Sequence, residues 1–153
     1  MFDLKATRFP NSFPVDFMHL IYENIASYMF KLWTGNFFQK DSGQDNGDYV
    51  LDKSTWNEIG NEMHQVRKIL PVYLGRSPRN IVLYHKGYKA EEWSTWITLY
   101  SLPLLKGRMP IRHYRKWANF VKAVRLCQKL TLTAQNIENI RLLFQSFYNY
   151  YER

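Results

Sequence analysis

Three residues with chemistry to offer fall close together near the start of the chain. Asp16, His19 and Glu23 are spaced by three and four residues, so on a helix they share one narrow arc. Two carboxylates flanking an imidazole could hold a metal ion or move a proton. A simpler account needs no function. Asp16 lies near a helix start, where a carboxylate meets unpaired N–H groups and the positive end of the dipole. His19 and Glu23 are an i, i+4 surface pair. Structural zinc takes four ligands and this helix supplies at most three, so no metal site is assigned. Glu91 and Glu92 are adjacent carboxylates and invite an acid–base reading, but a place in the first turn of a helix accounts for them. No catalytic residue is assigned.

These side chains must be positioned by helices. Phe13–Gly35 reads as one long amphipathic helix with Pro14 in its first turn and Gly35 just past its end. Phe17, Ile21, Ile25, Met29 and Leu32 form its buried stripe. A second helix starts near Ser54, carries Trp56, Ile59, Met63, Val66 and Leu70 inward, leaves His64 outside, and stops at Pro71. A third runs from about Ala90 to Tyr100, with Trp93, Trp96, Ile97, Tyr100 and Leu104 in the core and Pro103 ending or kinking it. A fourth spans about Ile111 to Leu130. A fifth starts at the N-cap Thr133 and buries Ile137, Ile140, Leu143, Phe144, Phe147, Tyr148 and Tyr151. Residues 36–49 carry loop chemistry, and a cation-binding loop is not supported, because the glycine and glutamate spacing is out of register. Residues 71–89 are the least regular part and allow one short strand at Ile81–Tyr84. The expected fold is therefore all-α: an irregular bundle of about five helices, with room for one short strand pair. Residues 1–12 form an extended arm and 13–153 a single helical domain.

The string FPVDFMHLIYEN, followed by WTG, resembles the DDE transposases of the CACTA (EnSpm-like) DNA transposons, especially those of fungal genomes. WNEIG at 56–60, GRSPRNI at 75–81, GYKAEEWSTWITLYSLPLLKGRMP at 87–110, HYRKW at 113–117 and the FYNYYER end are similar to further blocks of that family in the same order. The resemblance covers nearly the whole chain. It implies that Asp16 and His19 match the Asp-x-x-His signature that follows the family's second catalytic aspartate. The three catalytic carboxylates have no counterpart here, and two-metal phosphoryl transfer needs them. The expectation is thus a non-catalytic piece of a transposase, corresponding to the helical insertion, or a domesticated remnant of one. No cofactor is expected in this chain; a divalent metal such as magnesium belongs to the intact family enzyme. The family's polypeptide continues beyond FYNYYER, so the terminal tyrosines are expected to leave an apolar patch. Nuclear location follows from the resemblance.

Charge supports a nucleic-acid partner. The 153 residues carry a formal net charge of +8. Between Glu92 and Glu138 no Asp or Glu occurs. The fourth helix places Tyr114, Trp117, Phe120, Val121, Val124 and Cys127 on one side. Arg112, Arg115, Lys116, Lys122, Arg125 and Lys129 lie on the other, with Arg108 just before it. A one-sided basic helix suits a phosphate backbone, although a solvated face that keeps the protein soluble gives the same pattern. Arg76 and Arg79, in an acid-free loop, are further candidates for gripping phosphates. DNA is therefore the leading partner. A second copy or a full-length transposase, docked through exposed aromatics, is the alternative. The single cysteine, Cys127, excludes an internal disulfide and fits a reducing compartment. No apolar run is long enough to span a bilayer, and no signal-peptide pattern is present, so no membrane partner is expected.

Overall fold

The structure, a computed structural model, describes residues 16–37, 47–69 and 77–152. The extended arm at 1–12, Phe13, Pro14, Leu70, Pro71 and Arg76 lie outside them. Six helices and no strand occur among the described residues. The first, α1, is a π-wound segment, Met18–Ile25, that continues without a break into an α-helix, Ala26–Trp33. Helix α2 is Lys53–Ile69. Helix α3 is the short Ile81–Tyr84, followed by one 3-10 turn at His85–Gly87. Helix α4 runs through Ala90–Thr95, a π-turn at Trp96–Tyr100, and Ser101–Leu105. Helix α5 is Ile111–Cys127 and α6 is Ala134–Tyr151. The all-α bundle expected from periodicity is the observed fold.

Local chemistry explains the boundaries. Gly35 adopts φ 71°, a left-handed conformation that costs glycine little. The Asn36 N–H then reaches the Lys31 carbonyl at 2.8 Å and the Gly35 N–H reaches Leu32 at 3.1 Å, the paired bonds of a Schellman stop. Helix α2 is capped by Asp52, not Ser54: the Asp52 carboxylate accepts the Thr55 N–H at 2.6 Å and the Ser54 hydroxyl at 2.8 Å. The strand allowed at Ile81–Tyr84 is a helical turn instead. Asn80 caps it, accepting the Val82 and Leu83 N–H groups at 2.9 and 3.3 Å. Thr133 caps α6 as expected, accepting the Asn136 N–H at 3.1 Å.

Helix α4 passes Pro103 and ends at Leu105. The π-turn just upstream rewinds the backbone where proline lacks its N–H. Trp93, Trp96, Ile97, Tyr100 and Leu104 are all buried, as their spacing predicts. On α1 the pattern is shifted. Ile21 and Met29 are buried, but Ala26, Phe30 and Trp33 go deeper than Phe17, Ile25 and Leu32. A π-wound start advances fewer degrees per residue than a regular helix, so a stripe drawn at 3.6 residues per turn drifts off the core.

The centre is aromatic. Trp33 meets Trp117 edge-on at 4.9 Å, Trp117 stacks on Phe120 at 4.9 Å, and Phe120 contacts Phe147 at 4.7 Å, geometries that add to simple area burial. The Trp117 indole N–H donates to the Ser101 hydroxyl at 2.8 Å, and that hydroxyl donates to the Ile97 carbonyl at 3.0 Å. Helix α6 lies along α5 on one side only. Phe144, Phe147 and Tyr151 line the core, whereas Ile137 and Tyr148 are 58% and 59% exposed. That corrects the inward placement of the latter two.

Candidate nucleic-acid interface

The basic residues divide into two groups once their partners are known. Arg79 is half-buried and turned onto a buried carboxylate. Its Nε donates to Glu92 Oε1 at 2.8 Å, one Nη donates to Glu92 Oε2 at 2.8 Å, and the same Nη donates to the Gly87 carbonyl at 2.6 Å. Glu92 is 2% exposed. Burial pushes its carboxyl pKa up, but the Arg79 guanidinium and the Lys89 and Arg79 N–H groups outweigh burial, and the net direction is down. The Tyr88 hydroxyl donates to the Arg79 carbonyl, closing the assembly. Glu92 is therefore more than a helix-start acid, and Arg79 already has its anion.

Three more cations are engaged. Arg108 forks onto Glu62 and donates to the Leu104 carbonyl at 2.8 Å. Arg112 pairs with Asp48. The Lys116 ammonium donates to the Ser146 hydroxyl at 3.0 Å and sits 5.7 Å from the centre of the Tyr150 ring, so this lysine joins α5 to α6. The remainder form an outward stripe. Arg115, Lys122 and Arg125 are exposed and share one face of α5, and the exposed Lys129 lies two residues past Cys127, where the helix stops short of the end expected near Leu130. Arg125 lays its guanidinium on the Thr98 carbonyl of α4, with Nε at 3.0 Å, which fixes the side chain without neutralising it. Among the described residues no carboxylate pairs with Arg115, Lys122 or Lys129.

The inner side of α5 contains a relay that the chain's local patterns do not reveal. His113 is 5% exposed. Its Nε2 lies 3.0 Å from Asp48 Oδ1 and its Nδ1 lies 3.1 Å from the Tyr150 hydroxyl. An ionised Asp48 can only accept, so Nε2 carries the proton and Nδ1 accepts from Tyr150. Burial, and then the adjacent Arg112 guanidinium, hold the imidazole pKa below its ordinary value. The relay joins the turn at 47–50, α5 and α6. Tyr114 packs against the core, as its spacing predicts, with the buried His113 beside it. Tyr114 is half-buried.

Asp16, His19 and Glu23 do share one face, as their spacing predicts. His19 Nδ1 is 2.6 Å from Asp16 Oδ2 and Nε2 is 3.7 Å from Glu23 Oε2. The hydrogen bond to Asp16 raises the His19 pKa, and the same bond lowers that of Asp16. All three are solvent-facing, and no metal-holding group of three ligands occurs among the described residues. Cys127 is partly buried, which pushes its thiol pKa up. No helix among the described residues is long and apolar enough to cross a membrane. No family model, curated protein or solved structure matches the chain.

Proposed function

We propose that this chain is a non-catalytic helical segment of a CACTA-like DNA transposase, and that it holds the DNA backbone through the outer face of α5. The observation that carries the reading is the stripe of Arg115, Lys122, Arg125 and Lys129, exposed on a stretch of sequence without acids. Cations gathered along one side release counterions when they meet phosphates. They position the backbone and read no bases. Arg108, Arg112 and Lys116 flank the stripe and add to its field. Arg79 acts indirectly, through Glu92. The chain would act in the nucleus, beside a full-length transposase that supplies the carboxylates and their magnesium.

The test is binding of the purified chain to a labelled duplex across a salt series. Affinity that falls steeply with salt, and is lost on Arg115→Glu/Lys122→Glu/Lys129→Glu, supports the reading. Unchanged binding in that variant overturns it. A second reading, a protein-docking module, is favoured by Ile137, Leu142 and Tyr148, which stand 58%, 49% and 59% exposed on α6. Self-association or partner capture that is insensitive to salt would support that reading over DNA.

A further inference from the structure

We propose that the cleft between α1, the 3-10 turn after α3 and the start of α4 binds a phosphate-bearing ligand the size of one nucleotide. The cleft shares no residue with the α5 stripe, so this inference stands apart from the DNA-backbone reading. Its volume is about 540 Å³, within the range of small-molecule sites.

Three lysines from separate elements line the cleft: Lys31 in the last turn of α1, whose ammonium also lies 5.5 Å from the centre of the Tyr28 ring, Lys86 in the 3-10 turn, and Lys89 at the start of α4. None is paired with a carboxylate among the described residues. The one acid in the lining is Glu23, which already faces His19 Nε2 at 3.7 Å. Three cations against one occupied carboxylate repel one another until an anion enters. A phosphate dianion is the group that answers that balance.

The floor is apolar and closed. Trp93 and Tyr88 line it and are 4% and 8% exposed, their rings 5.0 Å apart. The Tyr88 hydroxyl already donates to the Arg79 carbonyl, so this side chain offers a ligand no free polar atom. His85 forms a side wall. Its Nδ1 lies 3.1 Å from the Ile81 carbonyl, which can only accept, so Nδ1 carries a proton and Nε2 is left for a ligand. The rim is held in advance. The Arg79 guanidinium grips the Gly87 carbonyl at 2.6 Å, and the Glu92 carboxylate accepts the Lys89 N–H at 3.2 Å. One buried ion pair thus fixes the backbone beside both Lys86 and Lys89, and that preorganisation lowers the ordering cost of binding.

The experiment is calorimetric titration of the full chain with inorganic phosphate, deoxyadenosine and deoxyadenosine 5′-monophosphate. The nucleotide is expected to bind at least about tenfold more tightly than either fragment. Lys86→Glu/Lys89→Glu should lose about tenfold or more of that affinity, while Arg115→Glu/Lys122→Glu retains it. Ser27→Phe, which fills the cleft and leaves every charge in place, should also abolish binding. Equal affinity for nucleotide and nucleoside, or for nucleotide and inorganic phosphate, overturns the proposal. So does nucleotide binding that survives both the charge-reversed and the filled variant, or the absence of binding by any of the three probes. Loss of duplex binding in the α5 variant alongside intact nucleotide binding separates the two readings.

Discussion

Arg79 and Glu92 form a two-pronged ion pair, both contacts at 2.8 Å, around a carboxylate that is 2% exposed. It links the segment before α3 to the first turn of α4 and so holds the aromatic elements on either side. Removing one partner of a buried pair leaves an uncompensated charge and costs about 3–5 kcal/mol. The Arg79 side chain is 29% exposed, so Arg79→Ala should destabilise less than the loss of a fully buried partner would. Glu92→Gln should destabilise too, because Arg79 then loses its anion. Glu92 has its folded pKa below the ordinary 4.5. Its contribution is therefore complete above that value and is lost as pH falls through the folded pKa. Urea unfolding of wild type and Glu92→Gln as a function of pH checks this. The gap between them should narrow on acidification below pH 4.5.

The His113 relay titrates with the same sign in a higher pH window. Its folded pKa is depressed from the ordinary 6.5 by burial and Arg112. The unfolded chain then binds more protons than the folded one, and stability rises with pH across the window. The contribution is fully present above pH 6.5 and declines as pH drops below it. His113→Phe should cost about 1–2 kcal/mol at neutral pH, since Asp48 is part-exposed and regains water while Tyr150 loses its acceptor. The variant's stability should also be flatter than wild type just below pH 6.5. An identical pH profile in the two proteins would remove the relay from the stability account.

Helix identity was legible because it is encoded locally. The α4 core set, the glycine stop after α1 and the Thr133 cap each depend on residues a few positions apart. Glu92 left a partial trace: it lies four residues before Trp96, on the buried face, and a carboxylate there demands a cation. Which cation was not written nearby, since Arg79 precedes it by 13 residues. The relay is further out of reach, with Asp48 and Tyr150 separated from His113 by 65 and 37 positions. The π-turns hide for a different reason. They change residues per turn without changing residue type, so Phe17 and Ile25 yield the deepest places to Ala26 and Trp33. On α5 the alternation of charge and ring located the exposed stripe. It could not say that Arg108, Arg112 and Lys116 meet Glu62, Asp48 and Ser146.

Gly60 gives a prediction against helix propensity. It lies inside α2, where alanine is the better helix former by about 1 kcal/mol. A Cβ at this position would come within 2.5 Å of Asn80 Oδ1, the atom that caps α3. Gly60→Ala must push Asn80 off its cap or push α2 away from α3. We expect a net destabilisation of about 1–2 kcal/mol, the cap loss outweighing the propensity gain. Asn80→Gly should relieve the clash, so the double variant should lose less than the sum of the two single changes. Denaturant midpoints of the four proteins are sufficient to decide it.

The α5 stripe predicts a graded response rather than an all-or-none one. For duplex DNA the salt slope falls by about 0.9 for each phosphate contact removed. Neutralising Arg115, Lys122 and Lys129 one at a time, each to glutamine, should lower the slope by roughly that amount per site. Affinity should weaken similarly for every sequence tested, since backbone contacts carry no base information. Arg125→Gln should cost more than its charge alone, because the guanidinium also ties α5 to the Thr98 carbonyl. Arg79→Gln should change stability and leave the slope where it was, its charge being spent on Glu92. If Arg79→Gln lowers the slope while the stripe variants do not, DNA approaches from the α3 side, and the outer face of α5 is a solvated surface.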